Sequence, residues 1–519
     1  MQLHWDNGTV RTHFLRSTKE DGIEHSRRAK RGPVHHVGSE LIRLGTGEEG
    51  THGKFKVGRF KFWTLWRCVS MWCKAPFAVL VSVLAAVGLA ASALPEQIHI
   101  AYAGDTGMAV SWATKGPTAT STVKFGTESS SMTHSVTGVA KTYYGNEYHH
   151  HVQLLDLQPG TTYYYVCGDS TSGFSETKSF KAPVQATDGV FSTSKPHKIS
   201  IFGDWGYGDR AHATQTRKAL ETIKKEVEFI WHVGDLSYAD DALLHTPLKF
   251  EYENIYDDWM NWIENISDSK PYMVGPGNHE SECHSPACIV EWEKRGKPLH
   301  NFSAYEARWF MPSGHSGGNS NMWYSFNLGL VHYVMINTET DFPGAAEEKH
   351  GDSGILPAGG FGREGEFLKW LEKDLADANA NRKVRPWIMV GGHRPIYSDD
   401  IVGVLQRTFE DLMLRYKVDI FFAGHRHYAT RSWPLQANGT ITAKNYINPK
   451  GVVHITAGGA GCDEYHAPKQ HTLPPFSASR VDQLATGVLT VYNRSMVHFD
   501  LIGSADMKVL DKFTLTKEA

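Results

Sequence analysis

The chain has little cysteine and a single long apolar run. Six cysteines stand among its 519 residues, and two of them, Cys68 and Cys73, lie before that run. No second cysteine pair lies near Cys283 and Cys288, which argues against a cysteine-based zinc site there. Hydrophobic residues make up 41% and charged residues 21% of the chain, so its composition is that of an ordinary globular protein of two or three domains.

An excess of positive charge is also missing from the main body of the chain. Residues 1–74 carry 14 Lys and Arg against 7 Asp and Glu, which leaves 39 basic against 49 acidic residues in the remainder. A body with this acidic balance offers no basic face with which to hold a polynucleotide backbone. We therefore expect no nucleic acid among its partners.

The apolar run resembles the core of a secretory signal. Residues 71–93 read as a short basic start, an apolar stretch and the cleavage-type tripeptide Ala91-Ser92-Ala93. A polar, basic extension, residues 1–70, precedes it, and one explanation is that translation starts at Met71 and the extension is not translated. The alternative is an uncleaved signal anchor at residues 75–94, because about 20 apolar residues can just span a bilayer. The small residues favour cleavage. We expect the protein to contact a membrane only if this segment is not cleaved.

Cysteine and sequon placement is consistent with export. Cys283 and Cys288 enclose a short loop that contains a proline, and we predict a disulfide between them. Two free loop thiols are the alternative for a cytosolic protein. The Asn-x-Ser/Thr sequons fit a secreted glycoprotein and lie at Asn265, Asn301, Asn438 and Asn493.

Short alternating runs fill residues 94–186. Their period of two, their aromatic residues and threonines, and the turn residues between them predict a small antiparallel β-sandwich. Three consecutive histidines, His149, His150 and His151, fall in one run. Because consecutive strand residues point to opposite faces, these histidines cannot converge on one ion, and we interpret them as structural.

The pattern changes after a polar joint at residues 187–196, which we predict to be a linker. From residue 197 to 504, apolar runs alternate with helical stretches, and residues 505–519 read as a C-terminal tail. Such alternation predicts an α/β domain whose ligands bind in loops beyond the carboxyl ends of the strands. The expected fold is therefore an all-β sandwich domain followed by an α/β domain.

Five short blocks follow apolar runs of the second domain: GDWG, GDLSY, GNHE, GGH and GHRH. Each begins with glycine, which lets the backbone turn sharply and approach a ligand closely. Their carboxylates, phenol, amide and imidazoles suit iron or manganese with zinc better than calcium or magnesium. The candidate ligands are Asp204, Asp235, Tyr238, Asn278, His393, His425 and His427.

The conjunction of the five blocks indicates a dinuclear metallohydrolase, whereas any one block alone is a common turn. Two metal ions about 3.5–4 Å apart can generate a bridging hydroxide and clamp the attacking and leaving oxygens of an in-line displacement. Phosphoryl transfer uses that arrangement.

The blocks resemble those of the purple acid phosphatases, a subgroup of the calcineurin-like metallophosphoesterases. The resemblance extends from Leu94 to about Ile502, and its most specific mark is Tyr238 in GDLSY, a tyrosine that the wider superfamily lacks. It implies a fibronectin type III-like domain at residues 94–186 followed by an αββα metallophosphoesterase domain. Members often pair, so a homodimer is also implied.

The resemblance implies an Fe(III)–M(II) centre in which the divalent ion is zinc, manganese or iron. The implied ligands are Asp204, Tyr238 and His427 for the ferric ion, Asn278, His393 and His425 for the divalent ion, and Asp235 as the bridge. Asn278 and His279 would contact the substrate phosphate. The ferric ion would lower the pKa of bound water further than zinc alone, so an acidic optimum is expected.

The expected function is that of a secreted, extracellular or vacuolar-lysosomal acid phosphatase. It would hydrolyse phosphate monoesters of small molecules or phosphoproteins by attack of a metal-bound hydroxide. The same metal core would also serve a phosphodiesterase, a nucleotide pyrophosphatase or a phytase, which differ in pocket shape. A non-enzymatic binding protein is the third hypothesis, and the intact ligand set argues against it.

The chain departs from the family pattern near the leaving group. Some plant members carry a further histidine shortly after the position of His393, where this chain reads SDDIVG. The general acid is therefore open among Asp399, Asp400, His279 and a water, and we rank His279 first because it stands beside a predicted metal ligand.

Three further residues are open from sequence. Arg394, in HRP, is a candidate phosphate-binding residue, with pairing to a carboxylate as the alternative. Tyr428 lies one position earlier than the tyrosine of the plant-like GHxHxYER, which makes a substrate role doubtful. Cys462, in GGAGCDEY, is structural or pairs with Cys167.

Overall fold

The computed structural model describes residues 3–6, 9–12, 94–186, 196–209, 212–246, 249–348, 356–464 and 472–518. The chain divides into two compact units, Met1–Cys73 and Lys74–Ala519. In the first unit, Leu3–Asp6 pairs antiparallel with Thr9–Thr12. The predicted leader at 71–93 and nearly all of the predicted linker at 187–196 lie outside the described residues. Among the described helices, none combines the length and apolarity needed to cross a bilayer.

Residues 96–181 form the predicted β-sandwich. One antiparallel sheet contains, in spatial order, Glu96–Ala103, Gly107–Thr114, Tyr148–Leu154 and Val139–Lys141. The other contains Gly173–Phe174, Thr162–Asp169, Thr122–Gly126 and His134–Thr137, with Lys178–Lys181 also paired to Thr162–Asp169. The alternating runs place Val110, Trp112, Val123 and Tyr165 in the core.

The three consecutive histidines are buried in the strand Tyr148–Leu154. His150 contacts the hydroxyls of Thr114 and Ser121 at 2.9 and 2.8 Å. His151 contacts Ser111 Oγ at 2.8 Å and the carbonyl oxygen of Ala307 at 2.9 Å. These two imidazoles therefore serve as hydrogen-bonding parts of the sandwich and its contact with the second domain.

The second domain is built on two mixed sheets. The first contains Tyr272–Val274, Phe229–His232, His197–Phe202, Ala485–Val491, Met496–Gly503 and Val509–Thr516, of which the first three are parallel. The second contains Tyr324–Leu328, Val331–Met335, Trp387–Gly391, Ile420–Ala423, Val453–Ala457, Ala429–Ser432 and Ser477–Val481. Two-stranded pairs join Trp205–Gly206 to Leu236–Ser237 and Leu435–Gln436 to Thr440–Ile441.

Helices separate the strands as predicted for an α/β domain. They span Ala213–Ile223, Ala242–His245, Tyr252–Ser267, Pro286–Val290, Ser303–Arg308, Ser313–Ser316, Glu366–Ala380 and Gly403–Arg415. Tyr252–Ser267 buries its apolar face at helical spacing and also holds the sandwich, because the Gln97 amide donates to Asn261 Oδ1 at 3.2 Å. This helix therefore lies at the contact between the two domains.

The prediction of a C-terminal tail at residues 505–519 is wrong for most of that segment. Val509–Thr516 is the edge strand of the first sheet and pairs antiparallel with Met496–Gly503. Its period-two pattern is visible once the pairing is known, since Phe513 and Leu515 are buried and Lys512 is exposed. The charged residues in and around this strand are also typical of a solvent-exposed terminus.

Candidate metal centre

Parallel strand ends bring the predicted ligands together. Asp204, Asp235 and Asn278 follow the three parallel strands of the first sheet, and His393 and His425 follow strands of the second. All of these except Asn278 and His425 are fully buried. Because the carboxyl ends of parallel strands lie at one edge of a sheet, side chains far apart in sequence converge there.

Several of these residues have left-handed backbone conformations. The φ angles are 64° at Asp204, 56° at Asp235, 54° at Tyr238 and 67° at His425. Such angles are uncommon for residues with a Cβ and are found where the surroundings hold them in place. One hydrogen bond that stabilises these conformations is donated by the His425 amide to Asp204 Oδ2 at 2.8 Å.

The glycine that precedes His425 is needed for close approach. A Cβ at Gly424 would lie 2.5 Å from Asp204 Oδ2, and one at Gly234 would lie 2.6 Å from His393 Nδ1. Both distances are below contact, so any side chain at either position would displace a neighbouring predicted ligand. Glycine is therefore required at the start of these two blocks for the predicted ligands to approach each other.

One group of predicted ligands surrounds the hydroxyl of Tyr238. Tyr238 Oη lies 3.3 Å from Asp204 Oδ1, 3.2 Å from Asp235 Oδ2 and 3.0 Å from His427 Nε2. The same His427 nitrogen is 3.4 Å from Asp204 Oδ1. Two carboxylates, a phenol and an imidazole thus face one point.

A second group surrounds Asn278. Its Oδ1 lies 3.2 Å from His393 Nε2 and 3.0 Å from His425 Nδ1. His393 Nε2 is also 2.9 Å from Asp235 Oδ2, while His393 Nδ1 donates to the Val233 carbonyl at 3.0 Å. That backbone bond leaves Nε2 as the ring nitrogen that faces the site. Asp235 Oδ2 therefore belongs to both groups.

The electrostatics of the buried groups fit a cationic occupant. Burial, with Cys462 and Asp235 nearby, raises the pKa of Tyr238 well above its ordinary value. Burial also raises the pKa of Asp204, whereas His393 and His279 outweigh burial and hold the pKa of Asp235 well below its usual range. A buried phenol beside two carboxylates becomes a phenolate only where a cation compensates, so the donor set suits metal ions.

Glu280, the last residue of GNHE, braces the site, and the sequence reasoning missed it. Its carboxylate accepts from the amides of Asp235 at 3.0 Å, Leu236 at 2.7 Å and Gly277 at 2.8 Å. One buried side chain thereby ties the loop of Asp235 to the loop of Asn278. The sequence signal is the acidic residue that ends the block GNHE.

A charged cluster behind His279 was also missed. His279 Nδ1 contacts Asp240 Oδ2 at 2.8 Å, and His284 Nδ1 contacts the same oxygen at 2.5 Å. Burial would lower the pKa of His279, but Asp240 and Asp235 raise it well above its ordinary value. Its Nε2 faces Asp235 Oδ2 at 3.9 Å, so this ring nitrogen points to the predicted metal centre.

The other two candidate acids are engaged elsewhere. Asp399 forms a largely buried ion pair with Arg480, whose guanidinium lies 3.8 Å from the ring centroid of Tyr428. Asp400 pairs with Arg426 at 3.4 Å on the surface. Tyr428 is buried and accepts a hydrogen bond from Ser398 Oγ at 3.2 Å. Of the three side chains considered from sequence, His279 is the one that faces the predicted ligands.

Arg394 is bound to carboxylates, which was the alternative to phosphate binding. Its Nε donates to Glu339 Oε2 at 2.6 Å and its Nη2 to Glu347 Oε1 at 3.0 Å. Its Nη1 lies 3.1 Å from His425 Nε2. The predicted substrate contact of Arg394 is therefore not supported, because two buried glutamates accept the guanidinium hydrogen bonds that a phosphate would need.

The cysteines divide into one pair and two free thiols among the described residues. Cys283 and Cys288 form a disulfide. Cys167 and Cys462 are free and buried, so a pairing between them is excluded in this structure. Cys462 Sγ instead lies 3.3 Å from His427 Nδ1, against the ring of a predicted ligand.

Family models match three consecutive parts of the chain. The purple acid phosphatase N-terminal domain matches residues 95–182, calcineurin-like phosphoesterase residues 197–429, and the iron/zinc purple acid phosphatase-like C-terminal region residues 451–512. Together with the predicted ligands that meet at the strand ends, these matches define a calcineurin-like metallophosphoesterase.

Similar proteins narrow this class. Acid phosphatase type 7 of Mus musculus is 33% identical over 80% of this chain and 90% of its own length. Acid phosphatase A of Cryphonectria parasitica is 31% identical over 82% and 92%, and purple acid phosphatase 22 of Arabidopsis thaliana is 30% identical over 78% and 81%. The chain belongs to the purple acid phosphatase family and is a metal-dependent phosphatase.

A solved structure supports the fold independently. The purple acid phosphatase isolated from yellow lupin seeds superposes with a TM-score of 0.63 at 21% identity, over 82% of this chain and 75% of that one. The order of sandwich and metallophosphoesterase domains predicted from the sequence is thus confirmed.

Proposed function

We propose that the protein is an acid phosphatase that hydrolyses phosphate monoesters at a dinuclear Fe(III)–M(II) centre. The observation that supports this most is the position of Asp235 Oδ2, which lies 3.2 Å from Tyr238 Oη and 2.9 Å from His393 Nε2. A carboxylate oxygen within reach of both ligand groups is suited to bridge two ions.

The two groups of side chains would hold different ions. The ferric ion would take Asp204, Tyr238 and His427, the divalent ion Asn278, His393 and His425, and Asp235 would serve both. When bound, the ions would supply an activated water and neutralise charge on the phosphoryl oxygens. The phenol of Tyr238 suits the ferric position because a phenolate is a strong, anionic donor.

His279 is the proposed general acid. Hydrolysis joins a water oxygen to phosphorus and breaks the ester P–O bond, and the leaving oxygen takes the proton that His279 carries on Nε2. The bond from Nδ1 to Asp240 at 2.8 Å keeps the ring in this orientation and favours its charged form. Asn278 and His279 are also the proposed contacts of the substrate phosphate.

Export through the secretory pathway is part of the proposal. The predicted leader at 71–93 and the Cys283–Cys288 disulfide support it. Asn265, Asn438 and Asn493 are exposed, as glycosylation requires. Asn301 is the weakest of the four predicted sites, because its side chain accepts from the Gly359 amide at 2.8 Å.

Metal analysis and spectroscopy of the purified protein test the centre. We expect iron plus a second metal and a visible ferric–phenolate band that Tyr238→Phe removes, while Tyr165→Phe, at a buried tyrosine of the sandwich, retains it. Activity would be compared on p-nitrophenyl phosphate, its bis ester, ATP and phytate across pH. A band that survives in Tyr238→Phe, or a preference for the diester, would overturn the ligand assignment or the monoesterase assignment, respectively.

A further inference from the structure

Two histidines share the buried carboxylate of Asp240. Its Oδ2 lies 2.8 Å from His279 Nδ1 and 2.5 Å from His284 Nδ1, and the two rings are nearly perpendicular, at 84°. An ionised carboxylate accepts hydrogen bonds and donates none, so each imidazole donates through its Nδ1. The Nε2 atom of His279 is thereby left toward the predicted metal centre.

These two imidazoles hold the Asp240 carboxylate in place. Its side chain has no exposed surface, and its Oδ1 has no hydrogen-bond partner in the described part of the chain. The orientation of the carboxylate therefore depends on both rings. Loss of the His284 side chain would leave the carboxylate hydrogen-bonded to His279 alone.

His284 is in turn held on its other side by Glu282. The Nε2 atom of His284 lies 3.4 Å from Glu282 Oε1, and the Glu282 carboxylate accepts from the Leu356 amide at 3.2 Å. The His284 side chain is 23% exposed, whereas those of Glu282 and Asp240 are buried. His284 thus lies between two buried carboxylates, one of which also contacts His279.

The Cys283–Cys288 disulfide holds the backbone that carries His284. The Cys283 amide donates to the Leu299 carbonyl at 3.2 Å, which anchors the chain directly before His284. Cys288 lies in the helix Pro286–Val290, and its disulfide joins this helix back to Cys283. A disulfide keeps its two Cα atoms within about 7 Å of each other, and here they are 6.4 Å apart. The short loop that contains His284 therefore cannot open while the bond is intact.

We infer that His284 and the Cys283–Cys288 disulfide position the general acid of the reaction. The inference rests on the proposed function, in which His279 protonates the leaving oxygen as the ester P–O bond breaks. The disulfide holds His284, His284 holds Asp240, and Asp240 keeps the ring of His279 with Nε2 toward the leaving oxygen. His284 is thus a positioning residue that acts through Asp240 and His279.

Leaving groups that differ in their need for a proton test this inference. The alkoxide that leaves β-glycerophosphate needs an acid, whereas p-nitrophenolate leaves as a stable anion. Misplacement of the acid should therefore slow the first substrate more than the second, while a general loss of structure or metal would slow both alike.

The value of kcat per metal-loaded enzyme would be measured on both substrates. In His284→Ala and in Cys283→Ala/Cys288→Ala we expect it to fall about tenfold on β-glycerophosphate and about twofold on p-nitrophenyl phosphate. His284→Asn keeps a donor near the position of Nδ1 and should restore most of the ratio between the two substrates. His498→Ala is the matched control, because it removes a histidine paired with Asp500 at 3.1 Å in the strand Met496–Gly503, and it should change neither rate.

His279→Ala separates the inference from the function on which it rests. If this variant lowers both rates equally, the proposed acid role of His279 fails, and the inference fails with it. If it shifts the ratio while His284→Ala does not, the inference alone is overturned. A ratio that shifts in His284→Ala and stays at the wild-type value in the folded cysteine variant overturns the part assigned to the disulfide. Should the cysteine variant not fold, the His284 variants decide the positioning role.

Discussion

The two domains of this protein each bury a group of histidines, and the two groups differ in what surrounds them. In the sandwich, hydroxyls and a carbonyl are the partners, and burial lowers the pKa of His150 to about 4 and of His151 to about 3. In the metal centre, burial also opposes the charge, but Asp235 raises the pKa of His393 to about 9 and Asp204 raises that of His427 to about 12. His425 differs from them, because burial and the nearby Arg394 hold its pKa well below the ordinary value.

The difference follows from where each histidine stands along its strand. His149 to His151 lie within a strand, where consecutive residues face opposite sides and each ring meets a different environment. His393, His425 and His427 lie just beyond strand ends, where loops from several strands converge. Placement just beyond a strand end, and not the number of neighbouring histidines, therefore distinguishes the predicted metal ligands from the structural histidines.

The largest expected effect is the loss of the carboxylate shared by both ligand groups. In Asp235→Asn we expect kcat/KM to fall by about 10³-fold or more, because the oxygen proposed to bind both ions becomes a weaker donor. Metal content and p-nitrophenyl phosphate hydrolysis would be measured together. Full activity in this variant would remove the dinuclear interpretation.

Asp240→Asn tests whether Asp240 keeps His279 charged. Asp240 raises the pKa of His279 more than any other neighbouring group does. Its loss should therefore lower that pKa, so that His279 loses its proton at a lower pH. We expect kcat at neutral pH to fall by about 10²-fold and the alkaline limb of its pH profile to move to lower pH. A uniform fall with an unmoved limb would contradict the role of His279 as the acid.

Glu280→Ala should affect both stability and metal retention. Three buried amides lose their acceptor, which should lower the free energy of unfolding by about 2–4 kcal/mol and metal affinity by at least about tenfold. Denaturant titration and metal competition measure these quantities. Glu280→Gln keeps the shape and one acceptor oxygen, so its effect should be smaller on both.

His150→Leu provides the contrasting result in the sandwich. The hydroxyls of Thr114 and Ser121 lose a buried partner, so we expect the free energy of unfolding to fall by about 1–3 kcal/mol while kcat/KM and metal content stay unchanged. Loss of metal from this variant would show that the two groups of histidines are coupled.

The smallest expected effect is a pH dependence of stability through His284. Burial would lower its pKa, but hydrogen bonds to Asp240 and Glu282 raise it to about 10. A raised pKa adds stability fully below the unfolded value of about 6.5 and loses it as pH rises toward the folded value. We expect the free energy of unfolding to fall as pH rises across this interval, and to fall by less in His284→Asn.

The fold and the position of the five blocks at strand ends could be predicted because both depend on local sequence. An apolar run followed by glycine and a donor side chain specifies a strand end, and the topology of parallel strands then brings such ends together. The edge strand Val509–Thr516 was missed because an edge strand is recognised by its partner, Met496–Gly503, more than by its own residues.

The supporting contacts depend on which loops face each other, which local sequence does not encode. Glu280 braces an amide in a loop 45 residues away, and Arg394 meets Glu339 and Glu347 across similar separations. For this reason the sequence left the partner of Arg394 open between a phosphate and a carboxylate. A guanidinium in a candidate site looks available until its carboxylates are known.

The left-handed backbone at Asp204, Asp235, Tyr238 and His425 limits which residues can replace these side chains. These conformations are held by hydrogen bonds within the protein, such as that from the His425 amide to Asp204. Among residues with a Cβ, aspartate and asparagine adopt such angles most readily, whereas a β-branched residue there would strain the loop. Asp235→Asn therefore changes the donor atoms while it leaves the backbone undisturbed, and a bulkier exchange at the same position would change both at once.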